Sequence, residues 1–276
     1  MTDLSAAAAR PDARPGVPKP DAVLVADGVS RRFGGLAAVL VEHLEIERNS
    51  ITALIGPNGA GKTTFFNVLT GFDRADGGRW RFDGTELHGW PAYRIARRGM
   101  VRTFQLTKAL AGMTVLDNML LGATGQGGER LAFAPLRFKW RAQERAVGDR
   151  AAALLADFGL ADKRHDLAAT LSGGQRKLLE MARALMAEPQ LVMLDEPMAG
   201  VNPALVESLL EHVRRVRDSG RTVVFVEHDM DVVMSISDWV VCLAEGSVIA
   251  EGSPQQIVSN ESVIDAYLGR HHGAPA

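Results

Sequence analysis

Gly56-Pro57-Asn58-Gly59-Ala60-Gly61-Lys62-Thr63 matches the spacing G-x-x-x-x-G-K-[ST], which is chemistry for phosphate. Its glycines let successive backbone N–H groups converge on phosphate oxygens. A helix beginning at Lys62, Thr63 and Thr64 would point its positive end at the same place. Lys62 adds a mobile ammonium, and Thr63 a hydroxyl suited to Mg²⁺. Taken alone, the segment also reads as a glycine-rich turn that happens to precede Lys-Thr.

Two further groups fit the same chemistry. Asp195 ends the apolar run Leu191-Val192-Met193-Leu194, where a carboxylate can hold Mg²⁺ through its water shell. Glu196 follows it, one step farther out, placed to orient or deprotonate an attacking water. Leu171-Ser172-Gly173-Gly174-Gln175 opens a helical stretch whose glycines free backbone N–H groups for an anion. Ser172 equally suits a plain N-cap.

These residues need strands and helices to hold them. Ser50 to Ile55 is a buried apolar run leading into the glycine loop, and Thr63 to Leu69 has helical spacing. Leu191 to Leu194 and Thr222 to Val226 are further apolar runs, each ending in polar residues. Helices are expected from Lys177 to about Ala187 and from Pro203 to about Ser219. That alternation predicts a parallel sheet covered by helices, with ligands at the strand C-terminal ends.

Val23-Leu24-Val25 and Val39-Leu40-Val41, joined by a turn at Phe33-Gly34-Gly35, predict an antiparallel opening. Between Asn118 and Ala169 no strand pattern occurs. Ala151, Leu154, Leu155 and Phe158 form a helical stripe instead. Trp239 to Leu243 and Val248 to Ala250 flank Glu245-Gly246 as a hairpin, and Ser262 to Leu268 reads as a closing helix.

A net charge of -2 carries no concentrated basic face of the kind nucleic acid demands, so no nucleic-acid partner is expected. The single cysteine, Cys242, excludes an intrachain disulfide and a thiolate metal cluster. No stretch approaches the ~20 apolar residues of a membrane span. Residues 1–21, rich in proline and alanine, read as a mobile tail, as do residues 272–276.

The glycine loop, Leu-Ser-Gly-Gly-Gln and Leu-Asp-Glu-Pro, in this order, resemble the nucleotide-binding domains of ABC proteins over about Val23 to Gly269. The resemblance implies an α/β fold: a P-loop NTPase core with a mixed, largely parallel sheet flanked by helices. An N-terminal antiparallel β subdomain joins it, with a helical subdomain at about residues 106–188, all within a domain of residues 22–271.

It also implies ATP and Mg²⁺ as ligands and ATP hydrolysis as the activity. Ser172 and Gly174, with Gly173 and Gln175, would meet the γ-phosphate of ATP held by a second such subunit, identical or related. Gln105 matches a glutamine that senses Mg²⁺ and the attacking water. His228 matches a histidine that touches the γ-phosphate. Phe33 stands where relatives stack an aromatic on adenine, though a Phe packed in a turn reads the same way. Asn202, where many relatives carry Asp, weakens a charge-based account of cross-talk at the seam.

Arg102-Thr103-Phe104-Gln105, Met113-Thr114-Val115, Glu227-His228-Asp229-Met230 and Ala266-Tyr267-Leu268-Gly269 are similar to the ATPases of branched-chain amino acid importers, a group that includes importers of urea and short amides. Leu121 to Ala146 corresponds to that group's extra segment, either a solvated insertion or a contact with permease or lipid. The resemblance implies two permease subunits, an extracytoplasmic binding protein acting through them, and a peripheral place on the cytoplasmic face of the membrane. ABC exporter ATPases, including the lipopolysaccharide-export type, and soluble non-transport ABC ATPases share the same phosphate-contacting motifs.

Overall fold

The computed structural model describes residues 14–103, 110–124 and 137–268. The chain divides into two compact units, one of residues 1–69, 73–89 and 226–276 and the other of residues 70–72 and 90–225.

The first unit opens with β1 (Ala22–Phe33), β2 (Leu36–Glu47), β3 (Ile51–Ile55), α1 (Lys62–Leu69), β4 (Gly77–Phe82) and β5 (Thr85–Glu86). The second carries α2 (Ala92–Arg98), β6 (Met100–Arg102), α3 (Val115–Leu120), α4 (Arg137–Asp157), α5 (Gly173–Leu185), β7 (Leu191–Asp195), α6 (Pro203–Asp218) and β8 (Thr222–Val226). From the last residue of β8 the chain returns to the first unit with α7 (Met230–Ile236), β9 (Trp239–Ala244), β10 (Ser247–Gly252), α8 (Pro254–Val258) and α9 (Glu261–Leu268).

In the first unit β1 pairs antiparallel with both β2 and β4, giving the order β2-β1-β4-β5. This is the expected antiparallel opening. Its strands are longer than the apolar triplets suggest, because polar residues on the solvated face alternate with buried Leu24, Ala26, Val29, Val39, Val41 and Leu44. β3 lies parallel to β9, which turns into β10 through Glu245 and Gly246, both with positive φ (49° and 81°). Such a turn matches the twist of a hairpin. All five residues of β3 are buried.

In the second unit the order is β8-β7-β6, with β6 and β7 parallel. β7 and β8 are buried along their whole length, as continuous apolar runs in α/β proteins require. Of the predicted stripe on α4, Ala151 and Leu155 are buried, Leu154 is half-buried, and Phe158 is buried just beyond the helix end.

Residues 14–20 differ from the mobile tail expected of them. Glu251, fully buried, accepts hydrogen bonds from Val17 N–H (2.6 Å) and Trp239 Nε1 (3.0 Å). Lys19 Nζ sits 3.5 Å from the Glu251 carboxylate and 3.5 Å above the Trp239 ring. A buried carboxylate needs such partners, and these anchor the segment. Residues 1–13 and 272–276 lie outside the described residues, as does most of the Leu121–Ala146 insertion.

Candidate functional site

β3 ends at Ile55, and the glycine loop turns from it into α1 at Lys62. Gly56 has φ 145°, and a Cβ there would stand 2.0 Å from the carbonyl oxygen of Leu243 on β9. Gly61, at φ 96°, would place one 2.1 Å from the Ala38 carbonyl oxygen. Backbone crowds the loop from both sides, so only glycine fits at either position. Lys62, 9% exposed, folds back over the loop and donates from Nζ to the carbonyls of Gly56 (2.7 Å) and Pro57 (3.0 Å). Ala60 is buried, while Asn58, Gly59 and Thr63 are exposed and Pro57, Gly61 and Thr64 half-buried. The loop thus presents backbone and the Thr63 hydroxyl outward with a cation at its centre, an arrangement that suits a polyphosphate.

The same unit holds Phe33 and His228. Phe33 ends β1, is 49% exposed and carries the Arg31 guanidinium 4.6 Å from its ring centroid. Its ring is about half exposed, with the guanidinium over it, which leaves both readings of Phe33 open. His228 lies between β8 and α7 with its side chain 64% exposed, its Nδ1 3.7 Å from Glu227. Cys242, opposite Ile55 in the strand pairing, is buried, and burial pushes its thiol up to about 12 despite the nearby Lys62 charge. It is an inert packing group.

The second unit holds the other residues. Asp195 ends β7 with its side chain fully buried. Its Oδ2 accepts from Arg102 Nη2 at 2.6 Å, while Oδ1 is buried without a hydrogen-bond partner among the described residues. A buried carboxylate oxygen left in this way fits a hydrated Mg²⁺, which characteristically takes one or two carboxylates and completes its shell with water and substrate phosphates. Glu196 adopts φ 46°, a left-handed conformation uncommon for a non-glycine residue and frequent at functional sites. Its carbonyl accepts from Ala199 N–H (3.1 Å) and Lys177 Nζ (3.4 Å).

Ser172 caps α5 in a reciprocal box: its hydroxyl accepts from Gln175 N–H at 3.2 Å, and Gln175 Oε1 accepts from Ser172 N–H at 3.0 Å. Both readings of Ser172 are therefore compatible, since the residue is exposed and the helix it opens runs 13 residues. Gly173 is exposed and Gly174 buried. Asn202 caps α6, accepting from Ala204 N–H at 2.9 Å, a local structural task that Asn performs as well as Asp. Gln105 lies outside the described residues.

Two residues were present in the sequence only as marks of a subgroup, with no role attached. Arg102 is the partner of Asp195, and Tyr267 on α9 accepts a hydrogen bond from Gly56 N–H at 2.9 Å.

Residues 42–199 match the ABC transporter family, and residues 247–273 match the family described as branched-chain amino acid ATP-binding cassette transporter. The probable branched-chain amino acid transport ATP-binding protein LivG of Archaeoglobus fulgidus is 42% identical over 247 residues, covering 90% of this chain and 95% of that protein. BraF of Pseudomonas aeruginosa, a high-affinity branched-chain amino acid transport ATP-binding protein, is 42% identical over 251 residues, covering 90% and 98%. Among solved structures, the ADP conformation of MJ1267, an ATP-binding cassette of an ABC transporter, superimposes with a TM-score of 0.78 at 34% identity, covering 90% of this chain and 99% of that one.

The phosphate-suited loop, the buried Asp195 followed by Glu196, and these likenesses along nine-tenths of the sequence lead to one conclusion: the chain belongs to the ABC transporter family, as an ATP-hydrolysing cassette of the branched-chain amino acid transport group.

Proposed function

We propose that this cassette powers import of branched-chain amino acids, with urea and short amides as the next solute class. It works from the cytoplasmic face of the membrane on two permease subunits, which receive solute from an extracytoplasmic binding protein. The reading is supported above all by the match of residues 247–273 to the branched-chain amino acid cassette family, since the phosphate-handling motifs are common to all ABC ATPases.

In the proposed cycle, Phe33 stacks on adenine, and Lys62 with the amides of residues 56–64 holds the phosphates. Thr63, Asp195 and Gln105 would hold Mg²⁺, which would neutralise charge on the triphosphate. Glu196 orients and deprotonates the attacking water, and His228 contacts the γ-phosphate. Ser172, Gly173, Gly174 and Gln175 reach the γ-phosphate on a second ATPase subunit. ATP thereby closes the pair, and hydrolysis reopens it.

Co-purification with the permeases, reconstitution in liposomes and addition of loaded binding protein tests the solute directly. Leucine, isoleucine or valine should stimulate ATP hydrolysis several-fold. Stimulation by urea or a short amide alone would move the assignment to that class, and hydrolysis coupled to outward movement of a lipid-like solute would contradict import.

A further inference from the structure

The phosphate loop is tied to the end of the chain. Tyr267 Oη accepts from Gly56 N–H at 2.9 Å, and the Gly56 carbonyl accepts from Lys62 Nζ at 2.7 Å. The two residues are 211 positions apart in sequence, yet Gly56 joins the C-terminal helix α9 to the loop's cation through its own two backbone groups. Val263, on the same helix, is buried and fixes α9 against the unit. The Leu243 carbonyl on β9 leaves no room for a side chain at Gly56. The base of the loop therefore lies against the β9 backbone and is hydrogen-bonded to a phenol.

Lys62 in this structure spends its ammonium on the Gly56 and Pro57 carbonyls. Engaging a polyphosphate requires Nζ to leave those carbonyls for phosphate oxygens. When it leaves, the N–H of Gly56 keeps its partner only if Tyr267 stays in place. An amide stripped of its acceptor in a part-buried place is destabilised, and a loosened loop must be ordered again on binding.

We propose that Tyr267 is a positioning residue for the nucleotide. It pins Gly56 while Lys62 exchanges loop carbonyls for phosphate, and through the same hydrogen bond it carries the change at the loop into α9. The proposal rests on the reading of residues 56–64 as the ATP phosphate cradle.

The chain has two tyrosines, Tyr93 and Tyr267, so fluorotyrosine labelling gives two ¹⁹F signals, and Tyr267→Phe identifies the second by its loss. Addition of ATP to the wild-type chain should move the Tyr267 signal in step with binding and leave the Tyr93 signal as an internal comparison. Tyr267→Phe, which keeps the ring and loses the acceptor, should weaken ATP about 3- to 10-fold, the worth of one hydrogen bond. A Tyr267 signal that stays put at saturation, or a Tyr267→Phe chain that binds ATP as tightly as the wild type, would overturn the proposal. Failure of the wild-type chain to bind ATP at all would sink the phosphate-cradle reading, and this proposal with it.

Discussion

Arg102 Nη2 stands 2.6 Å from Asp195 Oδ2, with the two side chains 4% and 0% exposed. The pair ties the last residue of β6 to the last residue of β7, where polar groups end two parallel strands. It engages Oδ2 of Asp195 and leaves Oδ1 without a hydrogen bond among the described residues, the oxygen that the proposed Mg²⁺ would use.

Removing one member of a buried pair strands the other's charge away from water. Arg102→Met should therefore lower unfolding stability by about 3–5 kcal/mol. Urea midpoints for Arg102→Met and wild type would check this, and equal midpoints would mean that the pair carries no net stabilisation of the fold.

Glu180 lies on the buried side of α5, where burial pushes its carboxyl up to about 7 against the opposing pull of Lys177, Arg183 and Arg176. Its ionised form is disfavoured in the fold. Below the ordinary carboxylate range both folded and unfolded chains are protonated, and the group costs nothing. As pH rises through that range to about 7, the unfolded chain ionises first, so stability falls; above about 7 the full penalty applies. Glu180→Gln should thus gain stability relative to wild type between pH 5 and pH 8, on the order of 2–3 kcal/mol. A difference between the two chains that stays constant from pH 5 to pH 8 would contradict the assignment.

The loop glycines should separate by cause. Gly59, at φ 83°, has nothing within 4 Å of the methyl an alanine would add, so Gly59→Ala meets only the left-handed backbone cost of about 1–2 kcal/mol. Gly61→Ala adds a clash with the Ala38 carbonyl 2.1 Å away and should cost about 3 kcal/mol or more, with ATP binding lost. Thermal unfolding of both variants with and without ATP reads the two effects apart.

The parts of the fold legible in the sequence were those in which one local pattern sufficed. β3, β7 and β8 are unbroken apolar runs ending in polar residues, and the hairpin at Glu245-Gly246 carries its own turn chemistry. β4 was missed because it begins Gly77-Gly78, and only Trp80 and Phe82 on it are buried. The short α3 was missed as well, since six residues are too few to show a helical period and only the Thr114–Asp117 capping box marks it. Phe33, Lys62, Asp195, Glu196, Ser172 and His228 could be named from motifs. Their supports could not: Arg102 and Asp195 are 93 residues apart, Tyr267 and Gly56 211, and no short-range pattern encodes such pairings.

The central claim is that one ATP is closed between Lys62 of one subunit and Ser172 of another. Light scattering of Glu196→Gln in MgATP, with and without Ser172→Arg, tests it most directly. The account predicts a mass twice the chain's for Glu196→Gln, and a monomer that still binds ATP once Ser172→Arg is added. A Glu196→Gln, Ser172→Arg chain that pairs as readily as Glu196→Gln alone would contradict it.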